Sequence, residues 1–556
     1  MTDREAGDEK AGEVGPVSET AAIAVGPSPF VPLARPLFRW LWIASFGSNV
    51  GTWMQNVAAA WLMTELSASA LMVALVQAAT NLPMFVLALP AGALADIVDR
   101  RRLLLAAQCW MLLVTAALAA LTFTGSITSW GLLAMTFLLG LGSALNAPAW
   151  QATTPELVPR EEVPAAVALN GVSMNVARAI GPALGGLLVA AAGAAAAFLL
   201  NALTFLGVLF VLGRWRRPRE TSTLPAERLV GAMRAGIRFV LHAPAFQAVL
   251  VRAAAFVVGG SSLLALLPVL LKQDPSLGAG HYGILLGCFG VGAVISALLI
   301  SGPFRRLNAD ATVTGGTIGL AASTLAVAWV PYYPARCVLL VLAGAAWLAP
   351  LTRLNAAAQA EVPRWVRARA LALYLVVFYG GMAAGSILWG FAADRAGPSL
   401  ALTAAATWML LGLLAALRFH LPEGEGPDLD PSRHWPEMAA VPGLELDQGP
   451  VLVTVEYRID PARAGEFQDA LRPLGRTRLR DGALRWDVFQ DVADPGSTIE
   501  VFLVESLVEH LRQHERVTEA DRIVQVRVRA FHVGDEEPVV RHLVAGQWRE
   551  ERPPGQ

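Results

Sequence analysis

Apolar runs of roughly 20 residues recur from about residue 38 to about residue 419, separated by short polar breaks. A helix of that length crosses a ~30 Å hydrocarbon layer. In lipid each crossing segment must satisfy its own backbone hydrogen bonds, so helices are the only choice at this length. The sequence therefore predicts an all-α polytopic membrane protein with twelve spans, at 38–63, 70–94, 103–123, 130–153, 165–190, 194–213, 246–271, 281–302, 312–330, 336–360, 368–393 and 399–419.

The basic residues orient these spans, because connections on the cytoplasmic side carry an excess of arginine and lysine. With a cytoplasmic N-terminus, the outside connections hold only Lys272, Arg336 and Arg395. We therefore expect a multi-pass protein of the cell membrane with both termini in the cytoplasm. The inside connections hold Arg100, Arg101, Arg102, Arg160, Arg214, Arg216, Arg217, Arg219, Arg305, Arg306, Arg364, Arg367 and Arg369.

Composition divides the chain further. The two six-helix bundles are joined by a connection in which the pattern from Leu229 to Leu241 predicts an amphipathic helix at the cytoplasmic surface. The predicted segments are a disordered cytoplasmic tail (1–36), a first bundle (37–213), the connection (214–245), a second bundle (246–420), a linker (421–449), a ferredoxin-like soluble domain (450–535) and a tail (536–556).

The two bundles share sequence features in the same order. LNAPAWQATTPELVP begins at Leu145, and LNAAAQAEVP begins at Leu354, so Asn146 and Asn355 lie 209 residues apart. At the same offset, Gly302, Arg305 and Arg306 resemble the cluster at 92–102 without its aspartates. Parallel repeats of six helices are typical of one large class of transporters.

Three features carry a resemblance to the major facilitator superfamily. The connection between spans two and three reads G-x-x-A-D-x-x-D-R-R from Gly92, like the signature loop of that family. Span five contains G-P-x-x-G-G at Gly181, Pro182, Gly185 and Gly186, which resembles a motif of the family's antiporters, and the repeated LNA segments agree. The membrane region resembles the bacterial group that includes the enterobactin exporter and macrolide efflux relatives. That resemblance implies export of a small siderophore- or drug-like molecule by alternating access.

The resemblance also implies a gating role for the loop residues Gly92, Asp96, Asp99, Arg100 and Arg101. Gly92 would permit close helix approach, and Asp96 would pair with a cation or a helix N-terminus, such as the start of span eleven. The alternative interpretation is that the arginines only set the topology. Gly181, Pro182, Gly185 and Gly186 would form a small-residue stripe for helix packing.

Polar residues inside the spans are candidates for the substrate site. In span one, Asn49, Thr52 and Asn56 share a helix face and lie near Trp53, so they are predicted to line a cavity. The alternative is hydrogen bonding between helices. Arg178 lies ~20 Å into span five at 1.5 Å per residue. It either binds an anionic group of the substrate or hydrogen-bonds to neighbours such as Asn175.

Other chemistry is not expected. The three cysteines, Cys109, Cys288 and Cys337, lie in separate runs, so neither a disulfide framework nor a metal site is predicted. The phosphate-binding pattern of ATPases is absent from the sequence. No aspartate or glutamate falls clearly at the centre of a span, so proton coupling is only a family expectation. We expect no cofactor and no nucleic-acid partner, but a small-molecule substrate and a lipid bilayer.

The C-terminal segment alternates strands and helices in the order β-α-β-β-α-β, with a fourth strand predicted over 523–531. It resembles the dimeric α+β-barrel modules of antibiotic-biosynthesis monooxygenases, most specifically in D-G-A-x-x-W at Asp481–Trp486. The module lacks asparagine, so we expect a non-catalytic sensor or a homodimerisation module. A membrane-anchored enzyme and a receptor are the alternatives. His510 and His514, one helical turn apart, are expected on a solvated face.

Overall fold

The computed structural model describes residues 30–215, 229–302, 307–421, 427–432, 434–435 and 448–545. Its first half contains five long helices, several of which begin at a side-chain cap. Ser69 Oγ accepts from the Met72 amide (3.2 Å), and the Asp99 carboxylate accepts from the Arg102 amide (2.9 Å). The helices are α1 (Pro36–Leu66), α2 (Ala70–Ile97), α3 (Arg100–Phe123), α4 (Ser129–Thr153) and α5 (Val163–Arg214).

A short amphipathic helix, α6 (Leu229–His242), precedes the second half, as the pattern from Leu229 predicted. The second half contains α7 (Pro244–Lys272), α8 (Ala279–Ser301), α9 (Ala309–Trp329), α10 (Tyr333–Ala360), α11 (Arg367–Ala396) and α12 (Pro398–Gly412). A 3₁₀ turn over Leu413–Leu417 continues α12.

Ten helices of the described ranges are long and apolar enough to cross a membrane. The longest contains two spans, because Gly193 adopts φ 79° and breaks α5 into 163–192 and 194–214. A left-handed residue of this kind interrupts a helix at little steric cost only when it is glycine. The 31-residue α1 is not among the ten, but it packs along α5. The prediction of an all-α polytopic membrane protein is confirmed.

The two halves meet along two helix pairs, α2 with α11 and α5 with α8. The largest cluster of buried apolar side chains draws on both halves, including Trp61, Leu266 and Leu320. We call the end of the bundle that carries Arg100, Arg160 and Arg214 the basic end. The opposite end, with the connections after α1, α3, α7 and α11, is the distal end.

A four-stranded antiparallel sheet forms the C-terminal domain, with strand order β2-β3-β1-β4. Its elements follow as β1 (Val451–Arg458), α13 (Ala464–Asp481), β2 (Ala483–Gln490), β3 (Ser497–Val504), α14 (Leu507–Arg516), α15 (Glu519–Arg529) and β4 (Val539–Val544). This is the ferredoxin-like arrangement that the sequence predicts.

The fourth strand was predicted wrongly. Residues 519–529 form α15, and β4 lies within the segment 536–556 that was assigned to a tail. A capping box begins α15, since Thr518 Oγ1 accepts from the Asp521 amide (3.3 Å) while the Asp521 carboxylate accepts from the Thr518 amide (3.0 Å). Asp521, Gln525 and Val528 are buried, which is helical spacing and not the alternation of a strand.

Part of the predicted linker packs against the C-terminal domain. The amide of Glu519 donates to the Asp430 carbonyl (3.0 Å), and the amide of Ser432 donates to the Val517 carbonyl (3.0 Å). These residues therefore belong structurally to the domain. The tail over 1–29 and the residues at 216–228 lie outside the described ranges.

The domain contacts the basic end of the membrane region. α6 packs against both α11 and α13. On α6, the Arg238 guanidinium lies 3.2 Å from the Glu509 carboxylate of α14. On α14, the Arg516 guanidinium lies 4.5 Å from the ring centroid of Trp365, in the connection between α10 and α11. Trp365 also packs edge-on against Phe239 of α6.

Candidate substrate cavity and gates

A cavity of about 470 Å³ opens within the first half. Its wall is built from α1 to α5, and α11 of the second half contributes Tyr379. The volume falls in the range of drug-sized binding sites, about 300–1,000 Å³. Polar lining residues are Ser45, Ser48, Asn49, Thr52, Gln55, Asn56, Thr80, Asn81, Gln108, Thr136, Ser143, Asn146, Gln151, Asn170, Ser173 and Tyr379.

The polar wall consists of hydroxyl and amide groups, and no carboxylate, lysine or arginine is among the lining residues. Some of these groups already have partners: Gln55 Oε1 accepts from Nδ2 of Asn201, which is not a lining residue (2.6 Å), and Gln108 Nε2 donates to Asn146 Oδ1 (3.2 Å). Other lining groups have hydrogen-bonding atoms without a partner. Gln108 Oε1 and Ser173 Oγ are buried with no hydrogen-bond partner among the described residues. The wall can therefore hydrogen-bond an uncharged ligand.

The structure brings three of the predicted span-one residues to this cavity, namely Asn49, Thr52 and Asn56. Thr52 also donates its hydroxyl to the Ser48 carbonyl (2.9 Å). Trp53 is not among the lining residues, because it faces α5: a Cβ placed on Gly181 would lie 2.6 Å from Trp53 Cβ. Gln55, which is 2 % exposed, is a lining residue that the sequence analysis did not select.

Arg178 lies behind the cavity wall and is not one of its lining residues. Its guanidinium carbon lies 5.5 Å from the ring centroid of Trp53, within range of a cation–π interaction. The side chain is also close enough to Tyr379 for an electrostatic interaction. Arg178 Nε is buried and has no hydrogen-bond partner in the described part of the chain. Asn175, one turn earlier, is half-buried and is also not a lining residue.

The glycine stripe of α5 contacts two helices. A Cβ on Gly185 would lie 2.7 Å from Met54 Cα of α1. A Cβ on Gly186 would lie 2.7 Å from Gly283 Cα of α8, and a Cβ on Gly283 would lie 2.5 Å from the Pro182 carbonyl oxygen. Real Cβ atoms do not approach other atoms this closely, so α5 and α8 cross backbone to backbone at this point.

The basic-end loop is held to the first half. Asp99 caps α3, and Arg100 pairs with Glu156 (2.6 Å) and donates to the Ala152 carbonyl (3.3 Å). Arg101 donates to the carbonyls of Leu212 (3.1 Å) and Gly213 (2.8 Å) at the end of α5. The surroundings of Gly92, the side chain of Asp96, and the residues Arg305 and Arg306 lie outside the described part, so their predicted roles remain predictions.

A carboxylate joins the two halves at the distal end. Asp394, near the end of α11, accepts hydrogen bonds from Ser69 Oγ (2.7 Å) and from the amides of Ala70 (2.5 Å) and Leu71 (3.2 Å). It therefore caps the N-terminus of α2 from the opposite half. We call this contact the distal latch.

The sequence carries a signal for this latch that the sequence analysis did not use. α11 ends in Gly390-Phe-Ala-Ala-Asp394, which repeats the G-x-x-A-D pattern from Gly92 to Asp96 at the end of α2. In α11 the glycine allows the close helix approach that was predicted for Gly92, since a Cβ on Gly390 would lie 2.6 Å from Ala74 Cβ and 3.1 Å from Leu71 Cα. A carboxylate then follows one turn after a close helix contact.

The sequence profile of the family described as "Transmembrane secretion effector" matches residues 27–551. The chain belongs to the transmembrane secretion effector family. It is similar to the multidrug efflux pump Tap of Mycolicibacterium fortuitum, with 25% identity over 67% of this chain and 93% of the relative. It is also similar to the enterobactin exporter EntS of Salmonella typhi, with 27% identity over 64% of this chain and 85% of the relative.

Solved structures support the fold. A bacterial homologue of the human lysosomal transporter Spinster, in an inward-facing and unoccupied conformation, aligns with a TM-score of 0.56 and 14% identity, over 69% of this chain and 97% of that structure. The family and its relatives are transporters. This member of the family is therefore a multi-pass membrane transporter and not an enzyme, and the predicted resemblance to major facilitator exporters is confirmed.

The family match extends over the C-terminal domain, whose interior contains a buried ion pair. Glu500 of β3 is fully buried, and the Arg478 side chain donates to its Oε1 (3.0 Å). Trp486, the last residue of the D-G-A-x-x-W motif, donates its Nε1 to the same oxygen (3.0 Å), and the Tyr457 hydroxyl donates to Oε2 (3.2 Å). The position of Trp486 in the motif is therefore explained by its hydrogen bond to the buried carboxylate of Glu500.

The expectation of a solvated face for His510 and His514 is wrong for His510, which is 1 % exposed. His514 is half-buried, and His542 of β4 completes a cluster with both. Burial lowers the pKa of His510 to about 4 and that of His514 to about 4. All three imidazoles are therefore neutral near neutral pH, since burial also lowers the pKa of His542.

Proposed function

We propose that this transporter is a secondary active exporter of a small organic molecule, siderophore- or drug-like, which works by alternating access. The observation that carries the proposal is the uncharged, hydroxyl- and amide-lined cavity, to which α11 of the second half adds Tyr379. Rocking of two bundles about such a site opens it to one side at a time. The substrate that fits this wall is an uncharged polar or amphipathic molecule. The relatives named as a multidrug efflux pump and an enterobactin exporter support export of a small organic molecule.

We propose that the basic end faces the cytoplasm. Eight arginines lie there, whereas the distal end carries Lys272, Arg336 and Arg395. The eight are Arg100, Arg101, Arg102, Arg160, Arg214, Arg364, Arg367 and Arg369. This distribution follows the positive-inside rule. In the proposed orientation the C-terminal domain lies in the cytoplasm and the distal latch lies on the outer side of the plasma membrane.

The distal latch supports a gating role for the G-x-x-A-D pattern at both ends of the α2–α11 pair. By analogy, Asp96 at the end of α2 acts on the start of α11 when the basic end closes. Asp96→Asn is expected to abolish transport while membrane insertion stays normal, measured as substrate flux in proteoliposomes and as protein yield in the membrane fraction. Full transport by that variant would remove the gating role.

For Arg178 we propose a positioning role at the cavity wall, where it fixes Trp53 and Tyr379. Its place behind the lining residues, and its contact with the Trp53 ring, support this role over direct binding of a substrate anion. Arg178→Gln should then reduce transport of an anionic and a neutral substrate equally. Selective loss of the anionic substrate would favour direct binding instead.

The proposed export is tested by reconstituting the purified chain in liposomes and following siderophores and hydrophobic drugs under an imposed pH gradient. Tyr379→Phe removes one cavity hydroxyl and is expected to lower the rate several-fold. Tyr332→Phe, at a side chain that is 67% exposed, is the matched control and should transport at the normal rate. If none of these compounds moves in either gradient direction, the proposal is refuted.

The C-terminal domain is proposed to be a homodimerisation module. Leu452, Leu503 and Leu543 lie side by side on the sheet face away from the helices, and Leu543 is 51% exposed. A second copy of the same face would cover this row, as the resemblance to dimeric α+β barrels implies. Deleting residues 450–556 should abolish dimers, seen by chemical cross-linking in membranes, without abolishing transport. Persisting dimers would contradict this role.

A further inference from the structure

Three imidazole rings meet at one edge of the C-terminal sheet, and the proposed transport cycle does not use them. His510 and His514 lie on α14, and His542 lies on β4. The ring centroid of His510 is 5.0 Å from that of His514 and 4.8 Å from that of His542. One ring nitrogen of each lies within 4.8 Å of the other two. They are three of the eight histidines in the chain.

The fold assembles this cluster from distant parts of the sequence. His542 pairs with Val453 of β1, and Val453 pairs with Phe502 of β3, so these three residues share the sheet face that the helices cover. The Phe502 ring lies 6.2 Å from His510. Because His514 follows His510 by four residues, both rings project from the same side of α14.

His510 is held in an orientation suited to a ligand. Its Nδ1 lies 3.0 Å from Gln513 Oε1. With the Gln513 amide oxygen facing Nδ1, only the tautomer with the proton on Nδ1 makes this hydrogen bond, and in that tautomer Nε2 presents a lone pair. That Nε2 atom is buried and has no hydrogen-bond partner within the described ranges. Metal-binding histidines commonly donate their other ring N–H to a fixed acceptor in this way.

The surroundings permit a cation. Arg478, a positive side chain that interacts electrostatically with His510 and His514, is neutralised by Glu500 at 3.0 Å. The Trp435 ring lies 4.7 Å from the His514 ring and covers one side of the cluster. His542 is exposed, so the other side is open to solvent. In the proposed orientation, an ion can therefore reach the cluster from the cytoplasm without crossing the membrane.

We propose that His510, His514 and His542 bind a divalent transition-metal ion that prefers imidazole nitrogen, such as Zn²⁺. Metal–nitrogen distances of about 2.0–2.1 Å place tetrahedral ligand atoms about 3.4 Å apart. The ring nitrogens lie within 4.8 Å of one another, and rotation of the exposed His542 and half-buried His514 side chains can bring them to the shorter spacing. Three nitrogen ligands leave one coordination position for water or another ligand.

The position of this site gives it a route to the transporter. α14 carries the two histidines on one side, while Glu509 and Arg516 on another side contact Arg238 and Trp365 at the basic end. An ion that joins α14 to β4 would fix the helix that docks the domain. Bound metal is therefore expected to slow amide hydrogen exchange over residues 507–516.

The experiment uses the full chain in detergent, purified with a tag that contains no histidine and stripped with a chelator. Titration with Co²⁺, followed by visible absorption, and equilibrium dialysis with Zn²⁺ are expected to show one ion bound per chain. His542→Gln and the double variant His514→Gln/His542→Gln should weaken binding at least as much as loss of a second-shell partner does, about 10–100-fold. Gln513→Met should weaken it within that range.

His532→Asn is the matched control, because His532 lies in the same domain and its Nδ1 already accepts from the Arg458 amide (2.9 Å). It should bind the ion normally. Unchanged binding in the double variant, or no stoichiometric binding by the unmodified chain, would overturn the proposal. His542 is exposed, so His542→Gln tests the site without removing a buried residue. Binding is read without any transport assay, so its failure leaves the proposed export untouched.

Discussion

Glu500 places a carboxylate inside the C-terminal domain, and its hydrogen-bond partners offset the cost of burying that charge. It accepts from Arg478, Trp486 and Tyr457, so both oxygens are satisfied. The Arg478 guanidinium also lies 4.9 Å from the Trp435 ring and 4.8 Å from the Phe502 ring. Removing one member of a buried pair leaves an uncompensated charge, which is more costly than removing both.

Glu500→Gln is expected to lower the free energy of unfolding of the C-terminal domain by about 3–5 kcal/mol, because Arg478 stays buried without its counter-charge. Amide hydrogen exchange of β1 and β3 in the full chain measures this loss. Glu505→Gln, at an exposed position just after β3, is the control and should change the exchange little. Equal protection in the two variants would show that the pair contributes nothing.

At the scale of elements, α2 and α11 form an antiparallel pair whose ends carry the same G-x-x-A-D pattern. The distal latch holds one end of this pair shut, through Asp394 on the α2 N-terminus. A carboxylate at a helix N-terminus contributes about 0.3–1 kcal/mol, rising to about 2 where it is partly buried. Such a latch can bias an equilibrium between two states without locking it.

Asp394→Asn keeps an acceptor at the α2 N-terminus but removes the charge. It is expected to raise the population open at the distal end, by about 2–30-fold for a loss of about 0.5–2 kcal/mol. Electron–electron distance measurements between spin labels at Ser126 and Gln273, in a chain without its native cysteines, report that opening. Asp274→Asn, in an exposed distal loop, is the control. Distances that stay the same in Asp394→Asn would contradict the latch.

The crossing of α5 and α8 makes a second prediction at this scale. Gly186→Ala puts a Cβ 2.6 Å from the Ala279 carbonyl oxygen and 2.7 Å from Gly283 Cα, so the helices must move apart. The melting temperature of the purified chain, followed by size-exclusion fluorescence, is expected to fall. Gly171→Ala, earlier in α5 with no atom within 4 Å of the new Cβ, should be neutral or raise it, because alanine favours helix by about 1 kcal/mol. A lower melting temperature for Gly171→Ala alone would contradict the crossing.

The sequence predicted what depends on local pattern. Hydropathy located the spans because each span must be apolar along its own length. The caps at Ser69 and Asp99 are also local signals of helix starts, although the sequence analysis did not use them. Residues 523–531 misled the analysis because valine and arginine alternate there, which is a strand pattern. The segment is helical instead, because the Thr518–Asp521 capping box begins a helix and Val528 is buried on its packed face.

The sites depend on pairs that are distant in sequence, and here the sequence indicated less. Span one pointed to Asn49 and Asn56, because they share one helix face, but Tyr379 reaches the same cavity only through the fold. Likewise, His542 joins His510 only because β4 pairs with β1, and β4 itself was assigned to a tail. A pattern within one helix or strand predicts which of its residues share a face. It does not predict which other element packs against that face.

For the whole molecule, the C-terminal domain and the membrane region share one interface at the basic end. Phe239 of α6 belongs to a buried cluster of the second half with Phe246 and Val366. The same helix presents Arg238 to Glu509 of the domain. α6 therefore links the domain to the second of the two halves that would rock in the proposed alternating access, so a change in the domain can be transmitted to that half.

The pair on α6 gives the last prediction. Burial lowers the pKa of Arg238, yet its guanidinium stays charged because the pKa of arginine lies far above neutral pH, so the Arg238–Glu509 pair acts as an ion pair at neutral pH. Arg238→Met removes the contact while Glu509 keeps its partner Arg516 at 2.6 Å, so the domain itself should remain folded. Faster hydrogen exchange is expected in α6 and α14 with no change in β1 or β3. Arg234→Met, at an exposed residue one turn earlier on α6, is the control and should exchange like the unmodified chain. Equal exchange in both variants would mean that the domain is held at the basic end by its other contacts, such as Arg516 on Trp365, and not by this ion pair.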